Sequence, residues 1–352
     1  MEIVVVKFGG TSLATQMERK EAIAHIASLK TAGKSIIAVV SAMGRKGSPY
    51  ATDTLISLLG KGCNPAVLDL MMSCGEVISA CVLTDSLVQQ GIDAVALNSV
   101  QAGIFTNGIF GSADIFDIDT KRIKMELLEG KVVVVTGFQG MSVRNDITTL
   151  GRGGSDTSAV VIGGFLRAGS VHIFTDVPGI AVIDPRIVPE AKYMEYVDIK
   201  HMYALACWGA GVVHPRAIFE AQKYNLELFV RSTFDRGQGT VIMKDMEMRG
   251  PVGIGIIRGC SLYDAEQSDS LIISSVKKSV RLTSDSGYSL LTAVFSGYSR
   301  DEMSEAIGRL PVKSELYFNQ SCAHILVETE NVESSAYSLY NRLFGKGGHP
   351  LI

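Results

Sequence analysis

Short apolar runs, each followed by a stretch with helical spacing, constrain this chain more than any other feature. Residues 3–6 (IVVV), 36–40 (IIAVV), 95–97 (VAL), 132–136 (VVVVT), 171–174 (VHIF) and 228–231 (LFVR) are rich in Val and Ile. Continuous runs of this length fit strands buried on both faces. Helical patterns lie between them, at 17–29 with Ile23, Ile26, Ala27 and Leu29 on one side, and at 77–90. A shorter helix is expected to start at 54–59, and residues 65–73 lead into Cys74-Gly75-Glu76. Strand and helix in alternation argue for an α/β fold, a mostly parallel sheet sandwiched by helices. In such sheets the ligand sits outside the carboxyl ends of the strands. Lys7, Ser41, Gly137 and Thr175 fall just past four expected strand ends and mark the edge where a site is expected.

The stretch 148–159, TTLGRGGSDTSA, is the strongest candidate for that site. A buried strand precedes it and an apolar, small-residue run at 159–166 follows, so it reads as a turn into a helix. Gly151, Gly153 and Gly154 let the backbone approach a ligand and take positive φ. Ser155 or Asp156 is placed to cap the helix, whose N–H groups then face an anion. Arg152 adds a planar fork suited to a carboxylate or phosphate. Lys7, with Gly9 and Gly10 behind it, sets a point charge beside backbone able to cradle a phosphate.

Other chemistries lack their signatures. The GxxxxGK[ST] spacing is absent, which excludes a P-loop, and no GxGxxG with an acidic partner supports a dinucleotide fold. There is no HExxH and no Ser-His-Asp set. Thr175-Asp176 and Asp184-Pro185-Arg186 read either as turns or as a clasp for the base, ribose or phosphates of a nucleotide. Glu76, at the opening of the 77–90 helix, either binds an ammonium group or complements the helix dipole. His214 reads as structural.

At 352 residues two or more domains are expected. After residue 234 the pattern changes: 235–240 reads as a turn and 244–250 is charged and Met-rich. The boundary is placed there, giving domains 1–240 and 250–345, with a strand at 323–328, a helix at 332–343 and a loose tail at 345–352. The net charge of −3 leaves no electrostatic footprint for nucleic acid or an anionic membrane. No apolar stretch reads as long enough to span a bilayer, and the N-terminus lacks the pattern of a signal peptide. The six cysteines are scattered without a CxxC pair, so reduced thiols and a cytoplasmic location are expected, without zinc.

Together these blocks resemble the aspartate kinases of the amino-acid kinase superfamily. The resemblance runs from residue 3 to about 240. It rests on KFGGTS at 7–12, VSAMG at 40–44, SCGE at 73–76, QAG at 101–103 and TLGRGGSDTSA at 149–159. It continues through FTDVPGI at 174–180, DPRIVPEA at 184–191, GAGVVHPRA at 209–217 and VRSTF at 230–234. The segment 41–55 looks most like Gram-positive monofunctional aspartokinases.

The resemblance implies phosphoryl transfer from MgATP to the β-carboxylate of L-aspartate, giving 4-phospho-L-aspartate for lysine, threonine, methionine and diaminopimelate synthesis. It implies Lys7, Gly9, Gly10 and Ser12 around the ATP phosphates, with Ser41 nearby and Mg2+ held mainly by those phosphates. Thr52 and Glu76 would contact aspartate, and Arg152 would hold its α-carboxylate. Gly153, Gly154 and Ser155 would stand at the phosphate junction, Asp156 would orient Lys7, and Thr175, Asp176, Asp184 and Arg186 would hold the nucleotide.

There are departures. Gly211 stands where many relatives carry a lysine expected to approach the ATP phosphates, and Ala181 where a tyrosine is common. The C-terminal part resembles an ACT region only over 316–343, and 253–310 lacks the usual Pro-Gly effector loops. The expectation is a reduced ACT-like domain that joins a homodimer, with lysine or threonine inhibiting weakly or not at all. Two rivals remain: another acyl-phosphate kinase of the same fold, and a catalytically weak paralogue serving as a nucleotide-binding or regulatory subunit.

Overall fold

The apolar runs form parallel strands, as their composition dictates. In the computed structural model, which describes residues 2–264, 271–273, 278–282, 287–310, 312 and 314–345, Ile3–Phe8 lies between Ser35–Val40 and Ser170–Thr175. Val132–Thr136 extends the sheet beyond Ser35–Val40 and is followed by Ala94–Leu97; on the other side Leu228–Ser232 joins Ser170–Thr175. All these pairings are parallel, and Thr240–Met243 pairs antiparallel with Leu228–Ser232. Register aligns the ends: Phe8 is opposite both Val40 and Phe174, and Val40 is opposite Thr136. The loops that follow therefore leave from one edge, as the mostly parallel α/β reading requires.

Two of the expected strand ends shift. Lys7 and Thr175 lie inside their strands rather than past them. The ladder outruns the apolar pattern because backbone pairing continues on both sides of Lys7, to Val39 and Ile173.

One face of the sheet buries Val4, Val6, Phe8, Ile36, Ala38, Val40, Val132 and Val134 against Ile23, Ile26, Leu83 and Leu87 of the covering helices. Each such side chain contributes about 1.5–3 kcal/mol by leaving water. Helix Gln16–Thr31 starts at a capping box, in which Thr15 and Glu18 satisfy each other's backbone N–H groups.

Helix Pro65–Gln89 corrects the reading of its region. It runs unbroken for 25 residues from an Asn64 cap, so the 65–73 and 77–90 segments are one element. Gly75 does not interrupt it; a Cβ there would stand 2.7 Å from the Ala42 Cβ, so the glycine serves close packing. Glu76 is thus mid-helix, far from the terminus that a dipole role needs. The helix also overturns the expectation that no stretch is long enough to cross a bilayer, since it qualifies on length and composition. One such helix is weak evidence, and this one turns Met72, Ala80, Leu83 and Leu87, with Asp69 and Glu76, into the protein.

The compact units do not follow the linear 1–240 and 250–345 division. One unit comprises Met1–Gly179 and Arg216–Ile242, the other Ile180–Pro215 and Met243–Ile352. The second holds an antiparallel sheet in the order Gly250–Arg258, Tyr288–Ser296, Cys322–Glu328, Glu315–Phe318. It also has helices Arg300–Ile307 and Val332–Phe344, and a three-stranded sheet of Cys260–Asp264, Lys278–Leu282 and Leu271–Ile273. Residues 180–215 join it because glycines let them approach closely: a Cβ on Gly255 would stand 2.3 Å from the Trp208 carbonyl, and one on Gly253 3.0 Å from Leu205. A linear scan for composition shifts cannot see an excursion that leaves one unit and returns to it. Of the expected loose tail, residues 346–352 lie outside the described residues.

Candidate active site

A cleft of about 670 Å³ opens at the carboxyl edge of the parallel sheet, within the first unit. Clefts of roughly 300–1,000 Å³ suit small-molecule ligands. Lys7, Gly10, Ser41, Thr52, Glu76, Arg152, Gly153, Gly154, Ser155 and Asp156 line it, all drawn from the residues singled out above.

Lys7 reaches out of the central strand to Asp156, with Nζ–Oδ1 at 2.6 Å and both side chains about one-eighth exposed. Removing one partner from so buried a pair costs roughly 3–5 kcal/mol, because the other charge is left unpaired. Asp156 is in the first turn of helix Gly154–Leu166, but neither it nor Ser155 caps that helix. Gly153 does, at φ 69° with no side-chain hydrogen bond. A left-handed cap excludes most side chains, and Asp156 is thereby left to face the lysine. Gly151, at φ +75°, would place a Cβ 2.7 Å from the Gly111 carbonyl. Arg152 is exposed between these glycines and makes no ion pair among the described residues. Ser155 and Asp156 are in the turn where helix N–H groups lack intrahelical acceptors.

Glu76 is 2% exposed. Its Oε1 accepts the Ala42 N–H at 2.9 Å, while Oε2 has no partner. Burial pushes its carboxyl from 4.5 up to about 8, with the Ala42 N–H opposing. A buried carboxyl with one unpaired oxygen at a cleft wall is a ready acceptor for an ammonium group. Thr52 opens the short helix Thr52–Ile56 on the same wall.

The phosphate-cradle candidates divide. A Cβ on Gly10 would stand 2.5 Å from the Ala42 carbonyl and 2.6 Å from that of Gly44, so only glycine fits. Ser41 hydrogen-bonds to the Phe8 carbonyl at 3.1 Å and lines the cleft. Gly9 and Ser12 do not line it. Ser12 is fully buried, and its hydroxyl hydrogen-bonds with that of Thr233 at 2.6 Å. Of the nucleotide candidates, Thr175 donates to Asp176 Oδ1 at 3.2 Å, and Asp176 pairs with Arg45. Asp184 and Arg186 belong to the second unit. There Arg186 grips Asp184 through Nε (3.0 and 3.1 Å) and Nη2 (2.7 Å), which lowers the Asp184 carboxyl.

Sequence reasoning missed Arg45 and Lys46, which add two cations to the lining. The signal was a basic pair directly after the VSAMG block. It also missed Asp69, buried on helix Pro65–Gln89, which reads in sequence as an ordinary polar helix position. No group of three or more His, Cys, Asp or Glu side chains able to hold a metal occurs among the described residues.

Among curated proteins, the chain is 43% identical over 245 residues to aspartokinase 1 of Bacillus subtilis, covering 69% of this chain and 61% of that protein. It is 40% identical over 267 residues to aspartokinase 2 of the same organism, covering 75% and 64%. The chain thus spans somewhat over three-fifths of the length of these relatives. Among solved structures, E. coli aspartokinase III in complex with aspartate and ADP superposes with a TM-score of 0.79 at 22% identity, covering 97% of this chain and 100% of that one. Aspartate kinase from Synechocystis matches with a TM-score of 0.62 at 25% identity, covering 99% and 70%. The model of the amino acid kinase family matches residues 2–232, the stretch that holds the six parallel strands and every residue of the cleft. With that match across about two-thirds of its length, the chain belongs to the amino acid kinase family.

Proposed function

We propose that this chain is an ATP-dependent aspartate kinase. One observation carries the reading: a single cleft gathers the Lys7–Asp156 pair, the unengaged Arg152 and an unpaired Glu76 oxygen. L-Aspartate offers a carboxylate to Arg152 and an ammonium to Glu76, and its β-carboxylate is left as the acceptor. A β-carboxylate oxygen bonds to the γ-phosphorus of ATP as the bond from that phosphorus to the β,γ-bridging oxygen breaks, giving 4-phospho-L-aspartate and ADP. The acceptor is already ionised at neutral pH, so no general base is needed. What the protein supplies is position and positive charge.

Lys7, oriented by Asp156, compensates charge on the transferring group. Gly10, Ser41 and the Gly153-Gly154-Ser155 turn bring backbone close to the phosphates, with Arg45 and Lys46 as further cations. Thr175, Asp176, Asp184 and Arg186 are the proposed nucleotide contacts. A magnesium ion would be held mainly by the nucleotide's own phosphates, since a site built from chain carboxylates is not needed to bring it. The antiparallel sheet and two helices of the second unit suit a reduced ACT-like module that joins a cytoplasmic homodimer and that lysine or threonine inhibits weakly or not at all. The weak-paralogue alternative is not favoured, because the cleft keeps Lys7, Glu76, Arg152 and Asp156 together.

Purified protein with MgATP, L-aspartate and hydroxylamine is expected to yield aspartyl hydroxamate. Retained ATP binding without hydroxamate would overturn the assignment.

A further inference from the structure

Asp69 is the most deeply buried carboxylate near the cleft, 1% exposed, and no step above uses it. Its Oδ2 accepts two backbone N–H groups, from Thr149 at 2.6 Å and from Gly111 at 2.9 Å. Its Oδ1 accepts the Thr149 hydroxyl at 3.0 Å. All three donors belong to loops that line the cleft, some 40 and 80 residues away in the chain. Thr149 is the last residue of strand Ile147–Thr149, three positions before Arg152. The two loops also touch each other, since a Cβ at Gly151 would meet the Gly111 carbonyl at 2.7 Å. Arg216 also bridges the two segments, donating to the Leu150 carbonyl at 2.7 Å and to Asp114 Oδ1 at 2.6 Å.

Asp69 and Glu76 are seven residues apart on one unbroken helix, two turns, and so on one face. The helix that carries the ammonium acceptor is thereby tied to the loop that carries the carboxylate fork. We infer that Asp69 is a positioning residue that fixes the distance between Glu76 and Arg152, and through it the fit of an amino acid held at both ends. This rests on the proposed function for the identity of that amino acid.

The chemistry of the side chain makes the claim specific. An ionised carboxylate is acceptor-only, matched to three donors. Asparagine keeps the volume but turns one end into a donor NH2 that faces N–H groups, which loosens the loop without emptying the site. Lys7, Gly10 and Ser41, on the nucleotide side, are not held by Asp69. Its loss is therefore expected to act on one substrate and not on the other.

The test uses the full chain as wild type, Asp69→Asn and Thr149→Val, with the hydroxamate assay and hydrogen exchange. Asp69→Asn is expected to raise the KM for aspartate about tenfold or more while that for ATP changes less than about twofold. Equal changes in both, or none, would overturn the inference. Thr149→Val, which removes one of the three donors, is expected to shift the same KM about threefold and serves if Asp69→Asn does not fold; no shift in it overturns the inference as well. If the wild type makes no hydroxamate, the functional proposal fails and exchange judges Asp69 alone. Faster exchange confined to residues 109–113 and 147–154 supports the positioning role. Exchange that is unchanged, or faster throughout Ile3–Phe8 and its neighbours, refutes it.

Discussion

The parallel strands of the first unit and the antiparallel sheet of the second each bury a titratable side chain, Glu76 beside the one and His324 within the other, and the two are satisfied differently. In the first unit the six parallel strands deliver their carboxyl ends to one edge, so Ser41, Phe138 and the loops beyond converge. Backbone polar groups and cations accumulate there, and Glu76 keeps an oxygen without a partner. In the antiparallel sheet neighbouring ends alternate between edges. Its buried His324 is instead completed within the unit, by Thr292 Oγ1 at 2.9 Å on Nδ1, Asn319 Nδ2 at 3.2 Å on Nε2, and the Trp208 ring at 4.3 Å. Burial pushes that histidine down to about 4, so it stays neutral at physiological pH. Glu76 at the converging edge is thus left with chemistry unmet, whereas His324 within the antiparallel sheet is completed.

The comparison is sharpened most by Lys7→Ala. Removing the cation that faces the transferring group is expected to lower kcat roughly a hundredfold to a thousandfold. A near-normal kcat in a folded variant would reduce Lys7 to a strand-end lysine and Asp156 to its counter-ion. Arg152→Ala comes next, with the KM for aspartate rising roughly tenfold to a hundredfold, as expected for a lost charge-assisted contact of about 1.5–3 kcal/mol. The KM for ATP should move far less. If both rise together, the fork does not belong to the amino acid.

Glu76 gives a pH signature. Its carboxyl is raised from 4.5 to about 8 in the folded protein, so the fold holds this proton more tightly than the unfolded chain does. The associated stability is fully present below about 4.5 and is lost as pH rises through about 8. Thermal melts of wild type should fall across that window, whereas Glu76→Gln should lack this component. Binding of an ammonium group needs the ionised form, so calorimetry at pH 7 in buffers of differing ionisation enthalpy should show release of about one proton with aspartate. No release would mean that Glu76 does not receive the ammonium.

The smallest expected effect lies in the second unit. A Cβ at Gly211 meets nothing within 4 Å, so the backbone accepts a side chain there. Gly211→Lys is expected to lower the KM for ATP, or raise turnover, about threefold. A folded variant with both constants unchanged would leave the cations already lining the cleft, Arg45 and Lys46, as sufficient.

Much of this was legible in sequence because it is local. Runs such as VVVVT at 132–136 state burial on both faces, and strand–helix alternation then leaves few arrangements besides a parallel sheet. The glycines at 151, 153 and 154 announced a turn, left-handed at 151 and 153, whereas the pairing of Lys7 with the distant Asp156 came only from the family resemblance. What sequence left undetermined involves partners far apart in the chain. Ser12 looked like part of a phosphate cradle, but its hydroxyl meets Thr233, 221 residues away. Glu76 looked like a helix start, but Gly75 is a packing contact with Ala42 rather than a break. Asp69 looked like nothing in particular, since its three donors come from two distant loops. Excursion 180–215 could be assigned to the second unit only from its contacts. Periodicity and turn chemistry report how a residue sits in its own element. Which donor meets which acceptor depends on packing between elements, and that exists only once the tertiary structure has formed.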